Sequence, residues 1–278
     1  MTNRRSLASA ALRGAAALAL FSAGARASAQ VAPGPLAIGD TFTLSSAVLG
    51  ENRRINVYNA PKERDAKPLP VLYMPDGGLA EDFLHIAGLL QVSVANGTMR
   101  PFMLVGIENT QRRRDMTGPS EDPRDRSIAP VIGGSGAFRR FMRDELMPAI
   151  RTRYRTTGET AIIGESLAGL FVMETLFQAP EMFDTYIAID PSVWWNREHL
   201  LLDGAAQLRT RRFAGKSLYV GSSGEPGMPA LSARLQQVLE TAGKSGLRFE
   251  LSAFPEESHG TIYHPAALRA FRAVFKPQ

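Results

Sequence analysis

The sequence contains no cysteine in 278 residues, which excludes disulfide bonds, thiolate metal sites and a thiol nucleophile. Histidine is scarce, with four residues in the whole chain, and tryptophan occurs only twice. The most apolar stretch lies near the N-terminus, where Arg13 interrupts it, and it is too short to cross the roughly 30 Å of a bilayer interior. A chain of this composition is expected to owe its stability to core packing and to contain no membrane span.

Residues 1–29 have the pattern of an export signal, with early arginines, a run rich in alanine and leucine, and Ala27-Ser28-Ala29 at the end. We expect cleavage after Ala29 and a periplasmic or secreted protein. The pair Arg4-Arg5 favours the twin-arginine route, and the Sec route stays open. This segment holds four of the 32 basic residues and none of the 27 acidic ones, so the remaining chain has a net charge of about +1. Nucleic-acid binding, which needs a clustered basic face, is not expected.

Beyond residue 30, short apolar runs alternate with longer helical patterns, from "LPVLYMPDGG" (69–78) to "PAALRAFRAVF" (265–275). Parallel strands that are buried on both faces have such apolar runs, and the intervening helices supply the crossovers. We predict a single α/β domain over residues 30–278, with a doubly wound, mostly parallel sheet and an N-terminal antiparallel hairpin within residues 41–60. Residues 110–136 are charged and rich in proline and glycine, which predicts a lid or a disordered loop.

The segment "AIIGESLAGLF" (161–171) places Ser166 between a predicted strand and a predicted helix. One interpretation is a helix N-cap, because a serine hydroxyl can accept from the free N–H groups of the first turn. The other is a nucleophile on a strained strand-to-helix turn, which requires small residues such as Gly164 and Ala168 two positions before and after the serine. Ala168 stands where that turn usually has a second glycine. Since ligands bind beyond the carboxyl ends of the strands in such a sheet, Ser166 is a candidate nucleophile.

A nucleophilic serine needs a base, and His259 is the best placed histidine because it follows the last predicted strand, in "FPEESHGTIYH" (254–264). This position agrees with the chain order serine, acid, histidine of α/β-hydrolases. Glu225, which follows "KSLYVGSSG", is the predicted acid. Asp190, at the end of "TYIAID", is the competitor. Because it precedes proline, we expect it in an extended turn, where its side chain either shapes the substrate pocket or caps a neighbouring turn.

An oxyanion that develops during acyl transfer needs preorganised N–H donors. The residue after the serine, Leu167, is predicted to supply one donor. The loop "PDGG" follows the third predicted strand and is expected to supply a second donor from Gly77 or Gly78, although the same residues would also suit a plain turn.

Five segments together resemble the "putative esterase" family of α/β-hydrolases, which includes ferric enterobactin esterases and their periplasmic relatives. The segments are "VLYMPDGG", "LVGIENTQRRRDMTGP", "FRRFMRDELMPAIRTRYRTTGETAIIGESLAGLF", "FDTYIAIDPSVWWN" and "SHGTI", and the resemblance spans about residues 41–275. It implies a serine esterase with Ser166 as nucleophile and His259 as base. It also implies that the loop around Arg114 and the pair Trp194-Trp195 border the substrate site.

The expected reaction is hydrolysis of a small-molecule carboxylic ester through an acyl-enzyme, which requires no metal and no cofactor. Arg112, Arg113 and Arg114 are candidates to meet an anionic substrate such as a catecholate siderophore, or they form a solvated face. An acyltransferase would use the same three residues. A binding module on an inactive hydrolase fold is a further alternative, against which the presence of both Ser166 and His259 argues.

Overall fold

The computed structural model describes residues 34–59, 66–240 and 245–277, and the predicted export signal lies outside them. A compact unit begins at Ala37 and contains one eight-stranded sheet with the strand order β1-β2-β4-β3-β5-β6-β7-β8. The strands are β1 (Gly39–Ser46), β2 (Glu51–Tyr58), β3 (Leu69–Pro75), β4 (Met103–Ile107), β5 (Thr156–Glu165), β6 (Thr185–Ile189), β7 (Ser217–Ser223) and β8 (Arg248–Phe254).

The pairing of the strands confirms the predicted sheet. β1 and β2 form an antiparallel hairpin that turns at Gly50, whose φ of +67° lies in the region that glycine adopts without steric cost. β2 also pairs antiparallel with β4, and all later neighbours are parallel. The carboxyl ends of β5, β6, β7 and β8 therefore lie side by side along one edge, which is where an α/β sheet of this kind binds its ligand.

Helices cover both faces of the sheet, as the alternating sequence pattern predicts. α1 and α9 pack on one face around a core that includes Phe83 and Phe271, and the remaining long helices pack on the other face around a core that includes Phe138 and Phe171. The helices are α1 (Phe83–Ala95), α2 (Arg112–Met116), α3 (Pro123–Ile128), α4 (Ser135–Phe141), α5 (Met147–Arg153), α6 (Leu167–Gln178), α7 (Trp195–Thr210), α8 (Met228–Glu240) and α9 (Tyr263–Val274), with one π-helical turn (Met142–Leu146) joining α4 to α5. Among the described residues, no helix has the length and hydropathy to cross a membrane.

The charged segment 110–136 differs from the predicted loop, because it contains the two short helices α2 and α3 and is tied to α7. The backbone N–H of Asn196 donates to Asp125 at 2.7 Å, and the indole N–H of Trp195 donates to the carbonyl of Gly118 at 3.3 Å. Asn196 begins a run of three residues with φ between 45° and 62°, a conformation that costs non-glycine residues energy. These bonds hold the segment against the body of the sheet.

Candidate active site

Ser166 lies in a strained turn between β5 and α6, with φ 60° and ψ −120°. A Cβ at Gly164 would lie 2.6 Å from the backbone carbon of Ala168, so only glycine allows the helix to approach the strand this closely. The serine N–H donates to the carbonyl of Ile189 at 3.0 Å, and the serine carbonyl accepts from Ser192 at 3.1 Å. The backbone of the turn is thereby fixed to the end of β6. No side-chain cap bond is made to α6, so the geometry is that of a nucleophile turn and not of an N-cap.

His259 reaches this serine from the loop between β8 and α9. Its Nε2 lies 2.9 Å from Ser166 Oγ, and the side chain is 43% exposed. A neutral imidazole can accept the serine proton at this nitrogen if the other ring nitrogen carries the hydrogen. The structure thus brings together Ser166 and His259, the two residues that the sequence predicts as nucleophile and base.

Asp190, at the end of β6, supports the other side of the ring. Its Oδ2 lies 2.7 Å from His259 Nδ1 and also accepts the hydroxyl of Ser223 at 2.8 Å, while Oδ1 accepts the backbone N–H of Ser223 at 2.8 Å. The carboxylate is completely buried. Burial would raise its pKa, but the hydrogen bonds from His259 and Ser223 favour the charged form more strongly and hold the pKa below its ordinary value. The residue therefore keeps an ionised carboxylate against the imidazole.

Glu225 does not occupy the position predicted for it. It lies in the exposed loop after β7, and its Oε2 accepts the backbone N–H of His259 at 3.3 Å instead of a ring nitrogen. Asp190 is nearer because β6 is the direct neighbour of β5 and because the aspartate has a left-handed φ of 43° just before Pro191. The extended turn expected for Asp190 is therefore wrong, and so is the expected ring contact of Glu225.

A second carboxylate, which the sequence analysis did not select, contacts His259. Glu165 immediately precedes Ser166, and its Oε1 lies 3.3 Å from His259 Nε2. Burial raises the pKa of Glu165 to about 7, and the charges of His259 and Arg112 counteract part of this shift. The pKa of His259 is raised, first by its hydrogen bond to Asp190 and further by the charge of Glu165. The sequence feature that could have identified Glu165 is its position immediately before the candidate nucleophile.

The predicted oxyanion donors have different surroundings. Leu167 is the first residue of α6, where the N–H groups have no acceptor within the helix and the positive end of the helix dipole lies. Gly77 packs so closely on β4 that a Cβ would lie 2.2 Å from the nitrogen of Ile107, and its N–H donates to the carbonyl of that residue at 2.9 Å. The N–H of Gly78 donates to Glu81 at 2.7 Å. Both predicted glycine donors are thus already engaged.

The three consecutive arginines are also engaged. Arg112 donates from Nε and Nη2 to Asp76 at 2.6 and 2.8 Å, and Arg113 donates to the carbonyl of Ile128. Arg114 binds Asp115 and Glu51, with Nε and Nη2 at 2.6 and 2.8 Å from the carboxylates. The guanidinium of Arg114 is therefore part of an ion-pair cluster with Asp115 and Glu51, and the predicted position of its loop at the border of the substrate site stays a prediction.

The two tryptophans differ in how deeply they are buried and in what they contact. Trp195 is buried and lines a cavity of about 760 Å³ between segment 118–126 and helices α6 and α7, together with Leu170, which lies one turn beyond Ser166. Trp194 is partly buried and packs against the core, with its ring 6.0 Å from that of Trp195. Neither Ser166 nor His259 lines this cavity. Trp195 thus borders a cavity beside α6, whereas Trp194 packs against the core.

Comparison with known proteins identifies the family of the chain. The model of the family described as "Putative esterase" matches residues 46–260, which is more than half of the chain. The chain belongs to this family. It is 27% identical over 251 residues to the ferri-bacillibactin esterase BesA of Bacillus subtilis, with 82% of this chain and 86% of the relative covered. It is 32% identical over 169 residues to the siderophore triacetylfusarinine C esterase of Aspergillus fumigatus, with 54% and 53% covered.

A solved structure shows the same fold. The crystal structure of an IroE-like serine hydrolase from Shewanella oneidensis superposes with a TM-score of 0.76 at 28% identity and covers 85% of this chain and 80% of that one. The predicted α/β-hydrolase fold and the predicted class, a serine hydrolase that acts on carboxylic esters, are confirmed by the family match and this likeness.

Proposed function

We propose that Ser166, His259 and Asp190 form the catalytic triad of this esterase. The observation that carries the proposal is the continuous contact from Ser166 Oγ to His259 Nε2 at 2.9 Å and from Nδ1 to Asp190 at 2.7 Å. His259 takes the proton as the serine attacks the ester carbonyl, and Asp190 stabilises the imidazolium that forms. The proton then passes from Nε2 to the departing alcohol, and water attacks the acyl-enzyme by the same route.

The first turn of α6 supports the charge that develops on the carbonyl oxygen. The N–H of Leu167 lies beside the nucleophile at the start of a twelve-residue helix, so a hydrogen-bond donor and the helix dipole act in the same place. We propose Leu167 as one oxyanion donor. The N–H groups of Gly77 and Gly78 are held by other acceptors and are not included in the proposal.

We further propose that the natural substrate is a siderophore ester. The support is the agreement of two relatives from different kingdoms, one acting on ferri-bacillibactin and the other on triacetylfusarinine C. A cavity of about 760 Å³ beside the nucleophile helix could hold part of such a molecule.

The triad is tested by replacing Ser166 with alanine and by labelling the active serine. We expect the mature protein to hydrolyse p-nitrophenyl esters and a trilactone siderophore, and Ser166→Ala to lower kcat by about 10⁶. A fluorophosphonate should modify the wild-type protein once, at the peptide that contains Ser166, and leave the alanine variant unmodified. A variant that retains a tenth of the activity, or a label on another residue, would contradict the proposal.

We also propose that the protein is exported, with Gln30 as the first residue of the mature chain. The support is the arginine-first, apolar, A-x-A order of residues 1–29, which is typical of signal peptides. Mass spectrometry of the protein from its native host would contradict this if the chain still began at Met1.

A further inference from the structure

Glu165 is a partly buried acid beside the Ser166–His259 contact, and the proposed mechanism gives it no role. Its side chain is 17% exposed, and Oε1 lies 3.3 Å from Nε2 of His259. Ser166 Oγ lies 2.9 Å from the same nitrogen. Nε2 of His259, which exchanges the proton in the proposed mechanism, therefore faces both the hydroxyl of Ser166 and the carboxylate of Glu165.

The positively charged side chains near Glu165 are not placed to form an ion pair with its carboxylate, apart from His259. Arg112 is the nearest guanidinium, but it makes its two short bonds to Asp76 and reaches only the backbone carbonyl of Glu165, at 3.5 Å. Asp76 and Asp190 add negative charge around the acid. In the described parts of the chain, the one cationic group within ion-pair distance of the Glu165 carboxylate is the imidazolium of His259.

This position places Glu165 next to the leaving group. If the proposed mechanism holds, Nε2 must lie within hydrogen-bond distance of the departing alcohol oxygen, about 3 Å. That oxygen then lies within roughly 6 Å of the Glu165 carboxylate, since two contacts of about 3 Å share one nitrogen. At such a separation in a partly buried site, a unit charge changes a rate by about ten- to a hundredfold.

We propose that Glu165 selects esters by the charge of their leaving alcohol, favouring uncharged and cationic alcohols over alcohols that carry a nearby negative charge. The inference rests on the proposed function, because it uses the proton transfer from His259. The wider site agrees with it: Glu225 adds another carboxylate at the His259 backbone, and the guanidinium groups of Arg112 and Arg114 are committed to acidic partners.

The test uses three butyrate esters whose alcohols have similar size and differ in charge: choline, 3,3-dimethylbutanol and 2-hydroxyethanesulfonate. We expect kcat/KM of the wild-type enzyme at pH 8 and low salt to be at least about tenfold lower for the anionic ester than for the neutral one. Glu165→Gln should reduce this ratio about tenfold. The matched control Glu225→Gln removes an exposed carboxylate from the same site, and it should change the ratio less than about threefold.

The same ratio responds to pH in the wild-type enzyme. Because the pKa of Glu165 is raised to about 7, the acid is ionised above that value and neutral below it. The discrimination against the anionic ester should therefore weaken as the pH falls through about 7, and it should be flat with pH in Glu165→Gln. Protonation of His259 in the same range slows all three esters together and cancels in the ratio. The charges of Arg112 and Asp190, which also act on Glu165, contribute a factor to the ratio but not the step near pH 7, and Glu165→Gln keeps both of them.

A siderophore pair extends the test to larger esters. Ferric iron bound by three catecholates gives a triply negative complex, whereas three hydroxamates give an uncharged one. We expect the wild-type enzyme to prefer the hydroxamate trilactone, and Glu165→Gln to narrow this preference.

The possible results distinguish a failure of this inference from a failure of the proposed esterase function. A neutral-to-anionic ratio near one in the wild-type enzyme at pH 8 would overturn the inference even if Glu165→Gln failed to fold. An unchanged neutral-to-anionic ratio in an active, folded Glu165→Gln variant would also overturn the inference. If instead the folded wild-type protein hydrolysed none of the three esters and was not labelled by a fluorophosphonate, the proposed function itself would fail.

Discussion

The ends of β6 and β7 each carry a carboxylate near His259, and the two acids have opposite surroundings. Asp190 is completely buried, and its two oxygens accept three hydrogen bonds, one of them from the imidazole. Glu225 lies in an exposed loop and accepts only the backbone N–H of His259, at 3.3 Å. Chain order alone allows either acid to follow the serine and precede the histidine.

In the proposed triad, burial and strand adjacency distinguish Asp190 from Glu225 as the acid that orients the base. β6 lies next to β5, so the residue after β6 is brought directly to Ser166, and the serine backbone is bonded to Ile189 and Ser192 on either side of Asp190. A buried carboxylate that accepts three hydrogen bonds has a fixed orientation, whereas an exposed one is free to move and is screened by water.

The strongest way to test this comparison is Asp190→Asn. We expect kcat to fall by about 10⁴, because the imidazole then loses its charge partner and the tautomer that leaves Nε2 free to accept. The measurement is kcat on a p-nitrophenyl ester, together with thermal unfolding to show that the fold is unchanged.

A loss of less than tenfold in a folded Asp190→Asn would reverse the assignment in favour of Glu225. A double variant with Glu225→Gln then decides whether the two acids replace each other, since independent sites would give additive free energies of activation.

A smaller effect, on the pH dependence of the activity, is expected to distinguish the role of Asp190 from that of Glu225. The pKa of His259 is raised above 6.5, mainly by its hydrogen bond to Asp190, so the base is already protonated at a pH where a free imidazole would be neutral. Activity should therefore fall as the pH drops through a value above 6.5, by about tenfold for each further pH unit. We expect Asp190→Asn to move this limb to lower pH and Glu225→Gln to move it much less. A limb below pH 6 in the wild-type enzyme would contradict the role of Asp190.

The smallest effect is expected for Glu225→Gln. The contact is exposed and the backbone N–H of His259 can bond to water instead, so kcat/KM should fall by less than about tenfold. The measurement is kcat/KM at pH 8 compared with the wild-type enzyme. A loss close to that of Asp190→Asn would mean that the loop after β7 positions the base.

The sequence was sufficient to predict the sheet and to select Ser166 and His259, the proposed nucleophile and base, because each has a local signal. Apolar runs indicate buried strands, Gly164 indicates the close turn at Ser166, and His259 follows the last strand. The acid could not be chosen in this way, since Asp190 and Glu225 both follow strands and are distinguished by burial and by the bonds they make across the sheet.

The partners of the three arginines were equally hidden from the sequence. Arg114 binds Glu51, which lies 63 positions away in the chain, and Arg112 binds Asp76, 36 positions away. A charge run therefore looks free for an anionic ligand until tertiary structure supplies its partners. The short helices α2 and α3 were missed for a related reason, because five or six residues give too little periodicity to detect.

If the substrate occupies the cavity beside α6, as proposed, the bonds that tie segment 118–125 to the start of α7 affect the thermodynamics of substrate binding. Fixing the backbone of one residue costs about 1–2 kcal/mol in conformational entropy, so a covering segment that became ordered only with substrate would weaken affinity considerably. Here Asn196 and Trp195 already hold the segment through Asp125 and Gly118. The conformational entropy of this segment is therefore lost during folding and not during binding. The binding free energy of the substrate can then contribute to placing the ester carbonyl at Ser166.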